Sequence, residues 1–337
     1  MGEPELSRLD CDQILASVRR MQLLQSATPQ IVPLAGGVSS LIVRVDDAGH
    51  RFCAKAALSK LKVSADWRVP VRRNLAEVDW MRTAAKLIPA AVPTILGQDV
   101  EGNVFAMAWF DPGRYPVWKH QLLAGEVSVE TARQVGAVIG RIHSATSERP
   151  ELAAQFDNSE DFDALRLDPY LRETAKRHDD LRIQLITIAD RTTAKRLALI
   201  HGDVSPKNIL IGPESPVLLD AECATWGDPA FDLSFCLNHL LLKAVHMPAH
   251  APALLESFAA LREAYLSHVT WETMAELEAR AAALLVALAL ARVDGKSPVE
   301  YLRPNERDMV RETSRVLISR PPTRLNDVVT RFKEILA

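Results

Sequence analysis

The sequence predicts a two-lobed α+β protein with a small N-terminal lobe, built on an antiparallel sheet, and a larger, mainly helical C-terminal lobe. Three observations support this prediction. Short β-branched segments separated by glycine-bearing turns between residues 31 and 57 are typical of a hairpin. Helical periodicity dominates after residue 128. An Asp-Pro-Gly turn at residues 111–113 separates the two regions, so we expect domains at 1–110 and 111–337.

The N-terminal region alternates between helical and strand patterns. Apolar residues near helical spacing predict a helix within 6–24, and the same period returns at 72–88. Pro89 then ends the second helix. Two more strands are expected at 94–98 and 104–109.

The C-terminal region is mainly helical, with one interruption. Helical patterns cover residues 128–144, roughly 161–190 and most of 231–337. Residues 197–220 instead predict a strand, a polar loop, a strand at 209–211, a turn and a final strand at 217–219. This interruption brings a polar loop and a hairpin into a helical lobe.

Composition and charge exclude several classes of protein. The chain is 48% hydrophobic and 25% charged, which predicts a soluble globular protein with a sizeable core. A formal net charge of −3 predicts neither nucleic acid nor membrane as a partner. The N-terminus lacks a signal-peptide pattern, and the four cysteines form no C-x-x-C pair, so we expect a cytoplasmic protein.

The most informative segment is the sequence HGDVSPKN at residues 201–208, followed twelve residues later by Asp220. Phosphoryl transfer from ATP needs a carboxylate beside the attacking hydroxyl and oxygen ligands for Mg²⁺. Asp203 and Asn208 have the D-x-x-x-x-N spacing of this chemistry, and the predicted hairpin would return Asp220 to the same place. Because Mg²⁺ usually takes only one or two protein ligands, Asn208 and Asp220 suffice for the metal, which leaves Asp203 as base.

These residues resemble a known superfamily. The HGD sequence with Asn208, together with WGDPAFDL at residues 226–233, is similar to the aminoglycoside phosphotransferase, choline kinase and methylthioribose kinase superfamily. The resemblance implies a two-lobed protein-kinase-like fold, with Asp203 as catalytic base and Asn208 and Asp220 as magnesium ligands. It also implies a structural role for Asp232.

The N-terminal lobe contains candidates for a nucleotide site. Lys55 is a single charge in an apolar strand, and burying its ammonium requires an anionic partner, which ATP phosphates and Glu77 on the next helix would provide. Backbone atoms near Trp109 would contact adenine. A turn between two strands offers backbone amides and hydroxyls to the phosphates through Gly36, Gly37, Ser39 and Ser40.

The acceptor is less well defined than the donor. Residues 231–337 contain thirteen acidic and thirteen basic residues, whereas enzymes that modify polycationic aminoglycosides tend to present clustered carboxylates. An uncharged or anionic acceptor, such as a sugar or nucleoside-like molecule, is therefore favoured over an aminoglycoside-type acceptor. An amino alcohol stays among the acceptor classes. Contacts of metal or substrate with four further residues stay open, namely Glu222, Arg292, Asp294 and Lys296.

The sequence therefore predicts an ATP- and Mg²⁺-dependent small-molecule kinase that phosphorylates a hydroxyl group. The main alternative is a kinase-like regulatory protein that binds nucleotide without transferring phosphate. A metallophosphoesterase would need further His and Asp ligands, and a protein kinase would need an Ala-Pro-Glu segment after Asp220. The choice between ATP and GTP and the oligomeric state stay open.

Overall fold

The structure is a computed structural model that describes residues 8–34, 40–57 and 73–336. The chain divides into two compact units, Met1–Arg114 and Tyr115–Ala337, each with its own buried apolar side chains. In these described ranges, no helix has both the length and the apolar character needed to cross a membrane.

The N-terminal unit is a five-stranded antiparallel sheet with two helices. The strand order is β1-β2-β3-β5-β4, so β3 is the central strand. In chain order the elements are α1 (Arg8–Arg20), β1 (Gln30–Pro33), β2 (Ser40–Asp47), β3 (His50–Ala57), α2 (Arg73–Leu87), β4 (Ile95–Asp99) and β5 (Val104–Ala108).

Helix α1 covers one face of this sheet. Ile14 and Val18 lie one turn apart on α1 and are buried in one cluster with Val43 and Val45 of β2. The intervening residue Arg44 points to the other face, as the two-residue period of a strand requires. One face of the sheet is thereby closed off from solvent.

The C-terminal unit is mainly helical and has two small two-stranded sheets. Its elements are α3 (Trp118–Leu123), α4 (Val129–Ser147), α5 (Leu152–Gln155), α6 (Ser159–Phe162), a π-helical segment (Asp163–Arg172), α7 (Glu173–Arg177), α8 (Arg182–Ala194), β6 (Ala198–Ile200), β7 (Ile209–Ile211), β8 (Pro216–Leu218), β9 (Thr225–Gly227), α9 (Pro229–His246), α10 (Ala251–Leu266), α11 (Met274–Asp294), α12 (Pro304–Ser319) and α13 (Leu325–Leu336). Single 3₁₀ turns lie at Pro89–Ala91 in the first unit and at Asp179–Leu181, Pro206–Asn208 and Pro248–His250 in the second.

Helices α9 and α11 form the centre of the larger unit. Every residue from 229 to 245 is buried, as are nearly all residues from 277 to 293. A helix that is apolar on all sides needs neighbours on all sides, and α9 packs against α4, α10, α11 and α12. Polar groups within these two helices are therefore removed from bulk water.

Helices α4 and α10 approach each other very closely. A Cβ atom placed on Gly136 would lie 2.2 Å from the carbonyl oxygen of Leu261, and one on Gly140 would lie 2.9 Å from that of Tyr265. Glycine at these two positions, one turn apart, lets the two backbones come into contact.

The predicted α+β class is confirmed, but local boundaries differ. Residues 161–190 were expected to form one helix, whereas the chain runs through a π-helical segment that contains Pro169 and then breaks at His178 (φ −128°, ψ 79°). Proline removes one backbone donor, and the wider π-helix accommodates that loss. The periodicity did not indicate α3 or β9, because each is very short.

Candidate active site

Two short strand pairs position the loop at residues 201–208. β6 ends at Ile200, immediately before the loop, and pairs with β9. β7 begins at Ile209, immediately after the loop, and pairs with β8. The backbone NH of Leu219 also donates to the carbonyl oxygen of Asn208 (2.9 Å), so Asp220 lies next to the end of the loop.

Asp232 holds the start of this loop. Its carboxylate accepts hydrogen bonds from the backbone NH groups of His201 (2.7 Å) and Gly202 (2.8 Å), and His143 Nε2 lies 3.1 Å from Oδ2. Burial opposes the negative charge, but the hydrogen bond from His143 and the other contacts hold the pKa of Asp232 below its usual value. This geometry agrees with the structural role expected for Asp232.

Gly202 and His201 complete the loop geometry. Gly202 has φ +76°, and a Cβ atom there would lie 2.6 Å from the carbonyl oxygen of Cys223, so a larger residue does not fit. His201 Nε2 lies 3.0 Å from the carbonyl oxygen of Leu219, and its Nδ1 accepts a hydrogen bond from Asp203 NH (3.2 Å). His201 is thus the neutral Nε2-H tautomer, in keeping with a pKa that burial lowers.

The Asp203 carboxylate has one oxygen held by three donors. Oδ2 lies 2.8 Å from an Arg166 guanidinium nitrogen, 2.9 Å from Asn208 Nδ2 and 3.2 Å from Lys207 Nζ. Within the described residues, Oδ1 accepts no hydrogen bond. One carboxylate oxygen is fixed, and the other remains available.

Arg166 and Lys207 are site residues that the sequence reasoning missed. Arg166 lies on the π-helical segment and also donates to the carbonyl oxygen of Gly202 (2.7 Å). Burial is the largest single effect and opposes its charge, but Asp203 together with Cys223, Tyr170 and Glu222 outweighs burial, so the pKa of Arg166 is raised. Asp203 likewise raises the pKa of Lys207, whose side chain is 54% exposed. Lys207 could have been noticed within the motif, whereas Arg166 lies in a segment without any motif.

Asn208 and Asp220 have donor atoms that suit a hard cation. Asn208 donates through Nδ2 to Asp203, and its amide oxygen accepts no hydrogen bond from the part of the chain described here. Asp220 has φ +66°, a left-handed conformation that few residues other than glycine, asparagine and aspartate adopt. Carboxylate and amide oxygens are the ligands that Mg²⁺ prefers. The residues present therefore fit a magnesium ion.

The structure shows no group of three or more His, Cys, Asp or Glu side chains that could hold a metal ion within residues 8–34, 40–57 and 73–336.

The residues whose contacts the sequence left open are mostly engaged within the protein. Glu222 is buried and interacts with the charge of Arg166. Of the three other charged residues left open by the sequence, two are ion-paired. Asp294 pairs with Arg311 (2.8 Å) and His178 (2.9 Å), and Lys296 with Asp168 (3.3 Å).

The N-terminal unit brings Lys55 and Glu77 together. Lys55 Nζ lies 2.8 Å and 2.7 Å from the two carboxylate oxygens of Glu77, and both residues are almost completely buried. Lys55 is on the central strand β3, opposite Ile42 and Phe105, and Glu77 is on α2. The pair is thus fixed by the sheet and by the helix.

The other residues of the predicted nucleotide site are partly described. Gly36, Gly37 and Ser39 lie outside the described residues. Ser40 is the first residue of β2, and its buried hydroxyl has no hydrogen-bond partner within the described ranges. Trp109 directly follows β5, with the Arg44 guanidinium 5.4 Å from its ring centroid.

Comparison with known proteins assigns the family. The model of the phosphotransferase enzyme family matches residues 30–277, about three quarters of the chain. The chain belongs to this family. This phosphotransferase is 25% identical over 288 residues to the methylthioribose kinase of Yersinia pseudotuberculosis, an alignment that covers 75% of the chain and 70% of the relative.

Solved structures show the same fold for this phosphotransferase. An amicoumacin kinase in complex with AMP-PNP, Ca²⁺ and Ami has a TM-score of 0.60 at 16% identity, covering 96% of this chain and 99% of that one. A choline/ethanolamine kinase family protein from Mesorhizobium loti has a TM-score of 0.52 at 14% identity, with the same coverage. The predicted kinase-like superfamily and the predicted phosphotransferase class are confirmed.

Proposed function

We propose that the protein transfers the γ-phosphoryl group of ATP to a hydroxyl group of a small molecule. The arrangement around Asp203 is the main support for this proposal. Arg166, Lys207 and Asn208 fix one carboxylate oxygen, and the other accepts no hydrogen bond from the described residues. Such a carboxylate can orient an acceptor hydroxyl and accept its proton.

The proposed reaction is an in-line displacement. The acceptor oxygen forms a bond to the γ-phosphorus while the bond to the oxygen shared with the β-phosphate breaks, which releases ADP. The hydroxyl proton passes to Oδ1 of Asp203. Arg166 and Lys207 keep the carboxylate in place during this step, so catalysis rests on positioning and not on a covalent intermediate.

Asn208 and Asp220 would hold Mg²⁺. The bound cation would supply charge neutralisation at the phosphate oxygens. The hydrogen bond between Leu219 NH and the carbonyl oxygen of Asn208 keeps these two ligands side by side at the end of the β7–β8 pair.

Lys55 would contact the nucleotide phosphates, with Glu77 as the group that orients it. Their buried ion pair supports this assignment, because a lysine fixed in this way presents its charge from one defined position. The amicoumacin kinase of the same fold is in complex with AMP-PNP and Ca²⁺, which also supports ATP with a divalent cation.

A coupled ADP-release assay with a panel of acceptors tests this function. The panel should contain neutral sugars, nucleosides, hydroxy acids, amino alcohols and aminoglycosides, with ATP and Mg²⁺ in excess. We expect acceptor-dependent ADP release with one of these classes, together with phosphorylated acceptor in equal amount. ADP release that is independent of acceptor, or no release with any class, would contradict the proposal.

The alternative of a nucleotide-binding regulatory protein predicts a different result. ATP with Mg²⁺ would then raise the melting temperature, as any ligand of the folded state does, but no acceptor would be consumed. The family assignment favours the enzyme. The three donors around Asp203 favour it as well, because a purely regulatory protein has no chemical need for them.

A further inference from the structure

A group of basic side chains in the C-terminal unit takes no part in the reaction described above. This basic cluster consists of Lys119 on α3, His239 and Lys243 on α9, and Arg292 in the last turn of α11. His239 and Lys243 are four residues apart and share one face of α9. Lys119 pairs with Glu300, and the ammonium group of Lys243 lies 5.0 Å from the ring centroid of the next residue, Tyr301, so the two lysines approach the same segment. Burial lowers the pKa of His239, and the charges of Lys243 and Arg292 lower it further.

Lys243 is the most unusual member of the basic cluster. It is only 1% exposed, and its ammonium group lies 5.0 Å from the ring centroid of Tyr301. Within the described residues it forms no ion pair and no hydrogen bond. Burial and the charges of Lys119 and Arg292 lower its pKa to about 7. A buried ammonium without a carboxylate is unfavourable, so this position favours an external anion.

Two donors at the basic cluster, one in Arg292 and one in Tyr301, also lack hydrogen-bond partners in the part of the chain that the structure describes. The Nε of Arg292 and the hydroxyl of Tyr301 are buried and form no hydrogen bond within the described ranges. Arg292 is nevertheless held in place, because one of its terminal nitrogens donates to Ser297 Oγ (2.9 Å). The unpaired Nε of Arg292 is thus fixed in position.

The charges around the basic cluster do not balance. Glu300 forms an ion pair with Lys119, whereas no carboxylate pairs with Lys243 or Arg292 among the residues that the structure describes. At least one positive charge, that of the half-buried Arg292, therefore has no carboxylate partner within the described residues.

The basic cluster is connected to the catalytic loop. The same terminal nitrogen of Arg292 lies 3.3 Å from the hydroxyl of Tyr170, which is one turn from Arg166 on the π-helical segment. Arg166 in turn holds Asp203. Helix α3, which contains Lys119, packs against the turn at Pro206–Asn208. A molecule with its hydroxyl at Asp203 would have its other end towards this cluster.

We propose that the basic cluster binds a carboxylate or phosphate group of the acceptor, which makes the substrate an anionic hydroxyl compound such as a sugar acid or sugar phosphate. This inference rests on the proposed function, because it names the acceptor class of the same site. A guanidinium and an ammonium group together form charge-assisted hydrogen bonds with such an anion.

Thermal shift with inorganic phosphate tests the anion site without any turnover. The full chain is titrated in saturating ADP and Mg²⁺, so that the nucleotide site is already filled. We expect phosphate to raise the melting temperature of the wild type and of the control variant Lys176→Met, which loses an exposed lysine paired with Glu173. Lys243→Met and Arg292→Gln should lose this shift.

Acceptor kinetics give the second readout. With anionic acceptors, Lys243→Met should raise KM about tenfold or more and change kcat little, while neutral acceptors of the same size should be unaffected. Separate assays with sugar acids and with sugar phosphates show whether the site binds a carboxylate or a phosphate group. Lys243→Met should also raise the melting temperature without ligand, because it removes a buried unpaired charge, so misfolding cannot account for the loss of affinity.

The outcomes separate this inference from the proposed function. Equal phosphate shifts in all variants, or turnover only with neutral acceptors, would overturn the anionic acceptor while leaving the kinase activity intact. A phosphate shift that Lys243→Met abolishes, in a protein that phosphorylates nothing, would support the anion site and refute the kinase activity.

Discussion

Lys55 and Lys243 are both single charges within apolar segments of the sequence. Lys55 was predicted to be functional from this pattern, and the structure pairs it with Glu77. The same criterion applies to Lys243 in the segment LNHLLLKAVH, but no motif directed attention to it. A search for single charged residues in apolar segments would therefore have identified Lys243. The position of Arg166 could not be found in this way, because only tertiary folding brings it to Asp203 from 37 residues away in the sequence.

The variant Arg166→Gln should reduce kcat roughly 100-fold, because Asp203 loses the guanidinium that fixes its orientation. The KM for ATP should change little, since Arg166 has no part in the proposed nucleotide contacts. Steady-state kinetics measure both constants, and Arg166→Lys should recover part of the loss. A matched control is Arg172→Gln on the same helical segment, whose ion pairs with Asp163 and Asp190 are partly exposed. Equal kinetic effects of Arg166→Gln and Arg172→Gln would contradict this role.

Lys243 should make stability depend on pH. Its pKa is about 7 in the folded protein against 10.5 unfolded, so the unfolded state binds more protons between these values and stability rises with pH there. Lys243→Met should remove this dependence and raise the free energy of unfolding below pH 7, with an upper bound of about 5 kcal/mol.

This difference should vanish towards pH 10.5, and urea denaturation across the range measures it. The charged and titratable groups that act on Lys243 are Lys119, Arg292, Glu300 and Cys236. The control Lys176→Met should follow the wild type at every pH. Destabilisation by Lys243→Met at pH 6 would show that an unseen partner stabilises the ammonium.

At the scale of elements, the sequence predicted the loop of the candidate site and three of its strands, β6, β7 and β8, because local chemistry determines them, but it did not indicate β9. The D-x-x-x-x-N spacing and the hairpin residues lie within twenty positions of each other. The contacts that hold the loop come instead from α4 and α9, through His143 and Asp232. Asp232 was found only through resemblance, since neither its spacing nor its residue type reveals which backbone amides it accepts from.

Asp232→Asn should lower the free energy of unfolding by about 2–5 kcal/mol, because the amide cannot accept from His201 NH, Gly202 NH and His143 together. Chemical denaturation measures this change. Asp327 is also an aspartate in the first turn of a helix but is exposed, so Asp327→Asn should change stability by less than about 0.5 kcal/mol. A similar small effect at Asp232 would contradict its structural role.

At the contact between α4 and α10, we expect glycine to be more stabilising than alanine, which is the reverse of their intrinsic helix propensities. Helix propensity favours alanine over glycine by about 1 kcal/mol, so Gly136→Ala would stabilise a free helix. With the new Cβ 2.2 Å from the carbonyl oxygen of Leu261, we expect a net loss of about 1–3 kcal/mol in the protein. Gly140→Ala, at 2.9 Å from its nearest carbonyl oxygen, should cost less. If chemical denaturation showed Gly136→Ala to be stabilising, the prediction would be contradicted, because α4 and α10 could then move apart at no cost in free energy.

At the scale of the whole molecule, the kinase-like fold and the enzyme family followed from two motifs in the correct order. The family match over residues 30–277 confirms the family, and the solved structures confirm the fold. The acceptor did not follow from the motifs. Total charge over residues 231–337 is balanced, yet folding brings Lys243 and Arg292 of this segment together with Lys119 of α3 in one basic cluster. Composition gives only the net charge of the segment, whereas recognition of the acceptor depends on which charged side chains lie next to one another.

The most direct measurement is the rate of phosphoryl transfer by Asp203→Asn, once an acceptor is known. We expect kcat to fall by a factor of roughly 100 to 10,000, because the amide cannot accept the hydroxyl proton, while the affinity for ATP with Mg²⁺ stays close to that of the wild type. Calorimetry measures the affinity, and phosphorylated acceptor is quantified by mass spectrometry. Transfer at the wild-type rate by Asp203→Asn would contradict the account.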